Sequence, residues 1–137
     1  MNKFSLSKNE RQLLLWASLL ALIAVILGAF GAHGLRGVLS SAQLKSFETG
    51  VRYEFYHSFA IFIAVILRLV IPSVLLLVAA RCFLVGTILF SGSIYLLTFS
   101  DQFDFPTHII GPLTPVGGVF LIIGWLLVVV GVAKARP

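Results

Sequence analysis

From Leu13 to Ala32 the chain runs for 20 residues without a single charge. At ~1.5 Å of rise per residue, such a run makes a helix of ~30 Å, the thickness of the hydrocarbon layer of a bilayer. It is longer than the apolar core of a cleavable signal, so it reads as an uncleaved anchor. Three more apolar runs follow, and the approximate spans are residues 12–31, 50–71, 73–99 and 115–133. None alternates with a period of two, so each reads as a helix and not a strand. The expectation is an all-α fold of one membrane domain over residues 1–137, a bundle of four transmembrane helices.

Composition supports lipid as the solvent. Only 11% of residues are charged, against about 25% in a soluble domain. The mean hydropathy is +1.06. The net charge of +5 is scattered at segment ends and forms no basic run, so it points to anionic lipid and topology and not to nucleic acid. Lys3, Lys8, Arg11, Arg68, Arg81, Lys134 and Arg136 fall on one side of the four spans, and Arg36, Lys45 and Arg52 on the other. That bias predicts both termini in the cytoplasm. With Cys82 alone there is no internal disulfide.

Punctuation marks the ends. Ile71-Pro72-Ser73 separates the second and third segments, and Thr114-Pro115 reads as a cap followed by proline at the first helical position. Ser40 with Gln43 resembles a capping box. Residues 41–49, with Leu44 and Phe47 continuing to Val51 and Phe55 at helical spacing, read as a short amphipathic interfacial helix between helices 1 and 2, bending at Gly50.

Glycines are placed for close packing, which matters in lipid because apolar side chains gain little by leaving it. Gly28 and Gly31 lie three apart at the end of the first segment. Gly117, Gly124 and Gly131 lie seven apart in the fourth, on one face. They read as helix-packing seams, within one chain or between copies.

The second segment carries the anomaly. Between Glu54 and Arg68 there are 13 uncharged residues, or ~20 Å of helix, short of a ~30 Å core. Arg52, Glu54 or Arg68 must therefore lie at or inside the boundary. An ionised carboxylate there needs a partner, water or a proton. Tyr53 and His57 neighbour Glu54 by helical spacing, and His33 ends the first segment on the same side. Arg52, Tyr53, Glu54, His57 and His33 form the candidate polar site. Three readings stand for it: a structural hydrogen-bond network, an outward-facing binding site, and a metal or redox centre using a quinone or haem. Glu54-Phe55-Tyr56-His57 is a Glu-x-x-His unit of the kind di-iron bundles use in pairs, but the chain has one copy and no second glutamate on a spanning helix. No metal, cofactor or catalytic set is expected.

Gly28-Ala29-Phe30-Gly31-Ala32-His33, Thr49-Gly50-Val51-Arg52-Tyr53 with His57, Phe90-Ser91-Gly92-Ser93-Ile94-Tyr95, and Thr114-Pro115-Val116-Gly117-Gly118 with Gly124-Trp125 occur in order. Together they resemble the transmembrane protein 256-like family, domain of unknown function 423. The resemblance implies a four-helix protein of the bacterial inner membrane and carries over no catalytic residue. The expected role is a structural or interaction subunit, packing with itself or within a larger membrane complex. The alternative is an outward-facing binding or transport module for a small polar solute, a proton or a lipid headgroup.

Overall fold

A backbone N–H or C=O left unpaired in hydrocarbon costs several kcal/mol, so a chain this apolar must satisfy its backbone within each segment. The computed structural model, which describes residues 5–135, does so with helices alone. In chain order these are α1 (Lys8–His33), α2 (Ser41–Val70), α3 (Val74–Thr98), two single turns α4 (Ser100–Phe103) and α5 (Thr107–Ile110), and α6 (Leu113–Ala133). Four helices are long and apolar enough to span a membrane: α1, α2, α3 and the run from Thr107 to Ala133 that contains α6. Lys3 and Arg136, two of the basic residues used for orientation, lie outside the described residues.

Local chemistry sets the ends. Ser7 and Glu10 form a capping box: the Ser7 N–H donates to Glu10 Oε2 at 2.8 Å and the Glu10 N–H to Ser7 Oγ at 3.3 Å. This starts α1 earlier than the apolar run suggests. Ser40 and Gln43 form the second box, at the start of α2. Residues 41–49 are not a separate helix. They are the first turns of a continuous α2 of 30 residues, ~45 Å long. Gly50 does not bend it, because the backbone there stays helical and is held against α3. Thr114 is not the cap of α6. The helix begins at Leu113, and Thr114 Oγ1 instead pairs with Ser93 Oγ of α3 at 2.7 Å.

The four long helices pack in sequence order: α1 on α2, α2 on α3, α3 on α6. Contact between α1 and α3 is slight, and neither α1 nor α2 packs along α6. The result is a row with α2 and α3 at its centre; these bury 39% of their spans, against 22% for the two outer helices. Leu13 and Ala17 of α1, Ile61 and Ala64 of α2, and Ala80 and Phe83 of α3 belong to one buried core.

Glycine sets the spacing where α6 meets α3 and where α1 meets α2. A Cβ on Gly117 would lie 2.5 Å from the Phe90 backbone nitrogen, so α6 and α3 touch backbone to backbone there. Along the same stripe the Phe83 ring occupies the space beside Gly124, and Leu76 that beside Gly131. At the other seam Gly31 faces the Phe47 ring and Gly28 faces Val51, bringing α1 onto α2. These glycines are therefore taken up within the chain.

Among the described residues, the end of the row where α1 starts and α6 stops holds one ion pair, Arg68 Nε to Glu10 Oε1 at 3.1 Å. The N–H direction misses the hydrogen-bond axis, so the attraction is Coulombic. Arg68 thus meets a carboxylate from α1 as well as reaching toward the surface.

Two outcomes are expected. Gly117→Ala has no room at a backbone contact and should lose ~1–3 kcal/mol of unfolding free energy in detergent titration, whereas Gly92→Ala, with nothing within 4 Å, should lose none. A double-mutant cycle of Glu10→Gln and Arg68→Met should give a coupling of about 1 kcal/mol, since the arginine side chain is 29% exposed.

Candidate functional site

On a helix, residues three, four and seven apart share a face. Gln43, Phe47, Gly50 and Glu54 therefore point one way from α2, toward α3. The absent side chain at Gly50 admits α3 closely: a Cβ there would come within 2.8 Å of Tyr95 Cε1. Two interhelical hydrogen bonds follow. Ser91 Oγ–H donates to the Gly50 carbonyl at 2.8 Å, and the Tyr95 hydroxyl donates to Glu54 Oε2 at 2.6 Å. Glu54 is 3% exposed. Its other oxygen makes no hydrogen bond among the described residues, and no cation pairs with it there. Toward the α4 end the same seam continues with Gln43 Nε2, which donates to the Thr98 carbonyl and to Asp101 Oδ2.

His57 lies one turn further along, facing α3 and α6. It is the seventeenth of α2's 30 residues, near the middle of the helix and not at a boundary. Its Nδ1 lies 2.8 Å from the Tyr53 carbonyl, which can only accept, so Nδ1 carries the hydrogen. Nε2 is left as the acceptor and receives the Trp125 Nε1–H at a long 3.4 Å. The imidazole is thus held neutral, in one tautomer, between two helices. Phe83 lies beneath both rings, its centroid 5.7 Å from His57 and 5.1 Å from Trp125. Tyr53 stacks on Phe90 at 4.6 Å.

Because α2 and α6 do not pack along each other, a cavity of about 560 Å³ opens between them above Phe90. Its walls include Tyr53, Tyr56, His57, Gly118, Ile122 and Trp125. The volume is that of a small-molecule site, and the lining is aromatic and aliphatic with few polar atoms. Its open side faces outward among the exposed apolar side chains Tyr56, Ile122 and Trp125.

The five residues singled out in the sequence thus separate. Tyr53, Glu54 and His57 share one region, with Glu54 turned to α3 and His57 to α6. Arg52 is exposed and lines a different groove, about 260 Å³, against Gly28 and Gly31 of α1. His33 is exposed at the last turn of α1, apart from the others. Three partners were missed: Ser91, Tyr95 and Trp125. The first two were signalled by polar residues recurring in an otherwise apolar third segment. Nothing in the sequence pairs Trp125 with His57. Among the described residues no three His, Cys, Asp or Glu side chains converge as a metal site.

A family described as "Protein of unknown function (DUF423)" matches residues 27–118, more than half of the chain. That span holds Tyr53, Glu54, His57, Ser91 and Tyr95 and stops short of Trp125. The Bacillus subtilis UPF0382 membrane protein YwdK is 39% identical over 115 residues, covering 83% of this chain and 89% of the relative. The Escherichia coli UPF0382 inner membrane protein YgdD is 35% identical over 129 residues, covering 93% and 94%. A Haemophilus influenzae UPF0382 membrane protein is 35% identical over 112 residues, covering 82% and 86%. No solved structure matches. On this agreement along most of its length, the chain belongs to the DUF423 family of UPF0382 membrane proteins.

Proposed function

We propose that this is a non-catalytic protein of the bacterial inner membrane, both termini cytoplasmic, that binds a small amphipathic molecule entering sideways from the lipid. The observation that carries the reading is the cavity between α2 and α6, with the His57–Trp125 pair at its wall. His57 Nε2 offers an acceptor and Trp125 Nε1–H a donor, joined to each other only by a long bond. A hydroxyl set between them would donate to one and accept from the other, while an apolar body fills the aromatic walls. The glycine stripe of α6 supports this over self-association, since Phe90, Phe83 and Leu76 of the chain itself fill it.

The membrane assignment rests on the name of the Escherichia coli relative and on the four spans. The orientation rests on Lys8, Arg11, Arg68, Arg81 and Lys134 against Arg36, Lys45 and Arg52. In this setting α2, ~45 Å long, exceeds a ~30 Å core, and its turns before Gly50 lie in the interfacial layer on the outer side.

A second reading, an interaction subunit, is supported by the open row: α1 and α6 keep broad apolar faces free of one another. A partner helix seated between α2 and α6 would take the place of the small molecule. Because Gly124 packs on Phe83, Gly124→Leu perturbs the fold itself; the informative change for assembly is on the free face, at Ile122.

Purified in nanodiscs, the protein should carry a co-purifying small-molecule adduct in native mass spectrometry. Both Gly118→Leu, which fills the cavity, and His57→Ala, which removes the acceptor, should cut its occupancy roughly tenfold, about 1.4 kcal/mol. An adduct-free protein, or adducts that persist in both variants, rules the binding reading out. If Ile122→Trp instead dissolves an oligomer or a protein complex, the subunit reading holds. Reporter fusions at the C-terminus are expected to be active only in the cytoplasm; a periplasmic signal reverses the orientation.

A further inference from the structure

We propose that Glu54, with Tyr95, is a proton-binding site inside the membrane, reached from the Asp101 end of the α2–α3 seam alone. Glu54 does not line the cavity between α2 and α6, so this site stands apart from the binding reading above.

Burial and the lack of a partner cation among the described residues carry the first half. The carboxyl is 3% exposed and accepts one hydrogen bond, from Tyr95. The groups that could neutralise an anion are elsewhere. Arg52 is exposed toward α1, and Arg68 is paired with Glu10 at the far end of α2. His57, on the next turn, is a neutral imidazole whose one N–H is spent on the Tyr53 carbonyl. From α3 the facing titratable group is Tyr95. From Gln12 to Ala32 of α1, and in all of α6, the sequence has no titratable residue. A lone carboxylate in such a place is relieved by taking up a proton. One Tyr95 hydroxyl cannot replace the hydration that an anion loses. The resting group is therefore a carboxylic acid, with Tyr95 bonded to one oxygen and the hydroxyl on the other.

The second half comes from how polar groups are distributed along the seam. Toward Asp101 they recur: Gln43 on the Thr98 carbonyl and Asp101 and, past the Phe47 ring that packs on Tyr95 and Phe99, Tyr95 on Glu54 and Ser91 on the Gly50 carbonyl. A groove of about 300 Å³ reaches these groups beside Gln43, Ser46, Thr98 and Thr114. Past Glu54, His57 turns to Trp125 of α6, and beyond it no hydrogen bond joins α2 to α3 among the described residues. Ile61, Ala64, Val65, Ala79, Ala80 and Phe83 are buried there. The hydroxyls of Ser58 and Thr87 are spent on their own helices, on the Phe55 and Phe83 carbonyls. A proton can exchange with one face of the membrane and has no polar path to the other. The site binds a proton and does not conduct it.

The test uses the full chain in nanodiscs and in vesicles of uniform orientation. A lipid-soluble carbodiimide reacts with a protonated buried carboxyl. The carboxyl proton passes to a carbodiimide nitrogen while the oxygen bonds to the central carbon. The acyl group then migrates to nitrogen, and nothing leaves. At neutral pH, mass spectrometry should find the adduct on Glu54 and not on the exposed Asp101 or Asp104. The infrared carbonyl band of a protonated carboxylic acid should be present in the unmodified protein. It should be missing in Glu54→Gln, whose amide oxygen still accepts from Tyr95. In vesicles, labelling should fall as pH is raised on the Asp101 side and ignore pH on the other. Absence of both the adduct and the band shows an ionised glutamate and overturns the site. Equal response to pH on both faces overturns the one-sided access. None of these readouts depends on an occupant in the α2–α6 cavity, so either proposal can fail alone.

Discussion

The contact on which the rest of the molecule depends is the backbone approach of α6 to α3 at Gly86 and Gly117. In water, two helices are driven together by hiding leucine and phenylalanine. In lipid those side chains are already at home, and association comes from close packing and polar ties. Where α3 and α6 touch through glycine, dispersion contacts replace that missing drive. A Cβ on Gly86 would fall 2.6 Å from Leu121 Cδ2, so both partners of this contact are fixed in identity. This contact sets how far α6 stands from α2, and that spacing makes the lateral cavity and brings Trp125 within reach of His57.

Each neighbouring pair of helices adds a polar tie to its apolar contact. Glu10 and Arg68 join α1 to α2; Ser91 with the Gly50 carbonyl, and Tyr95 with Glu54, join α2 to α3; Ser93 and Thr114 join α3 to α6. The bond from Trp125 to His57 spans the one gap where helices do not pack along each other. The polar residues of the second segment are thus divided among three neighbours and do not form one cluster. Tyr95 is the hinge of this arrangement, since its ring also lies 5.2 Å from Phe47, which in turn fills the space beside Gly31.

What the sequence revealed and what it hid follow from the range of the interactions involved. Helix type, number and breaks depend on local chemistry, so the Ser40–Gln43 box and the Pro72 break are both legible. The Ser7–Glu10 box is equally legible by its Ser-x-x-Glu spacing, ahead of the apolar run. The glycine stripe of α6 could be seen as a face, but not that Phe83, Phe90 and Leu76 would fill it. Arg68 and Glu10 are 58 residues apart, and Glu54 and Tyr95 are 41 apart. Pairing at that distance depends on helix order and rotation, which composition does not encode. His33 and His57 differ in both depth and direction around a helix axis: His33 is exposed at the end of α1, and His57 is buried near the middle of α2.

The order of the row has a consequence for biogenesis. Helices leave the insertion machinery in the order they are made. Here α2 docks on α1, which is already in place, then α3 on α2, then α6 on α3. Each arriving helix finds the neighbour it packs on already in the membrane, and no early pairing must be broken to admit a newcomer. The contacts are short in sequence, the condition under which folding is fast and exposure of unpaired surface brief. The glycine seam of α6 closes after the others, so the lateral cavity takes shape only when α6 docks on α3.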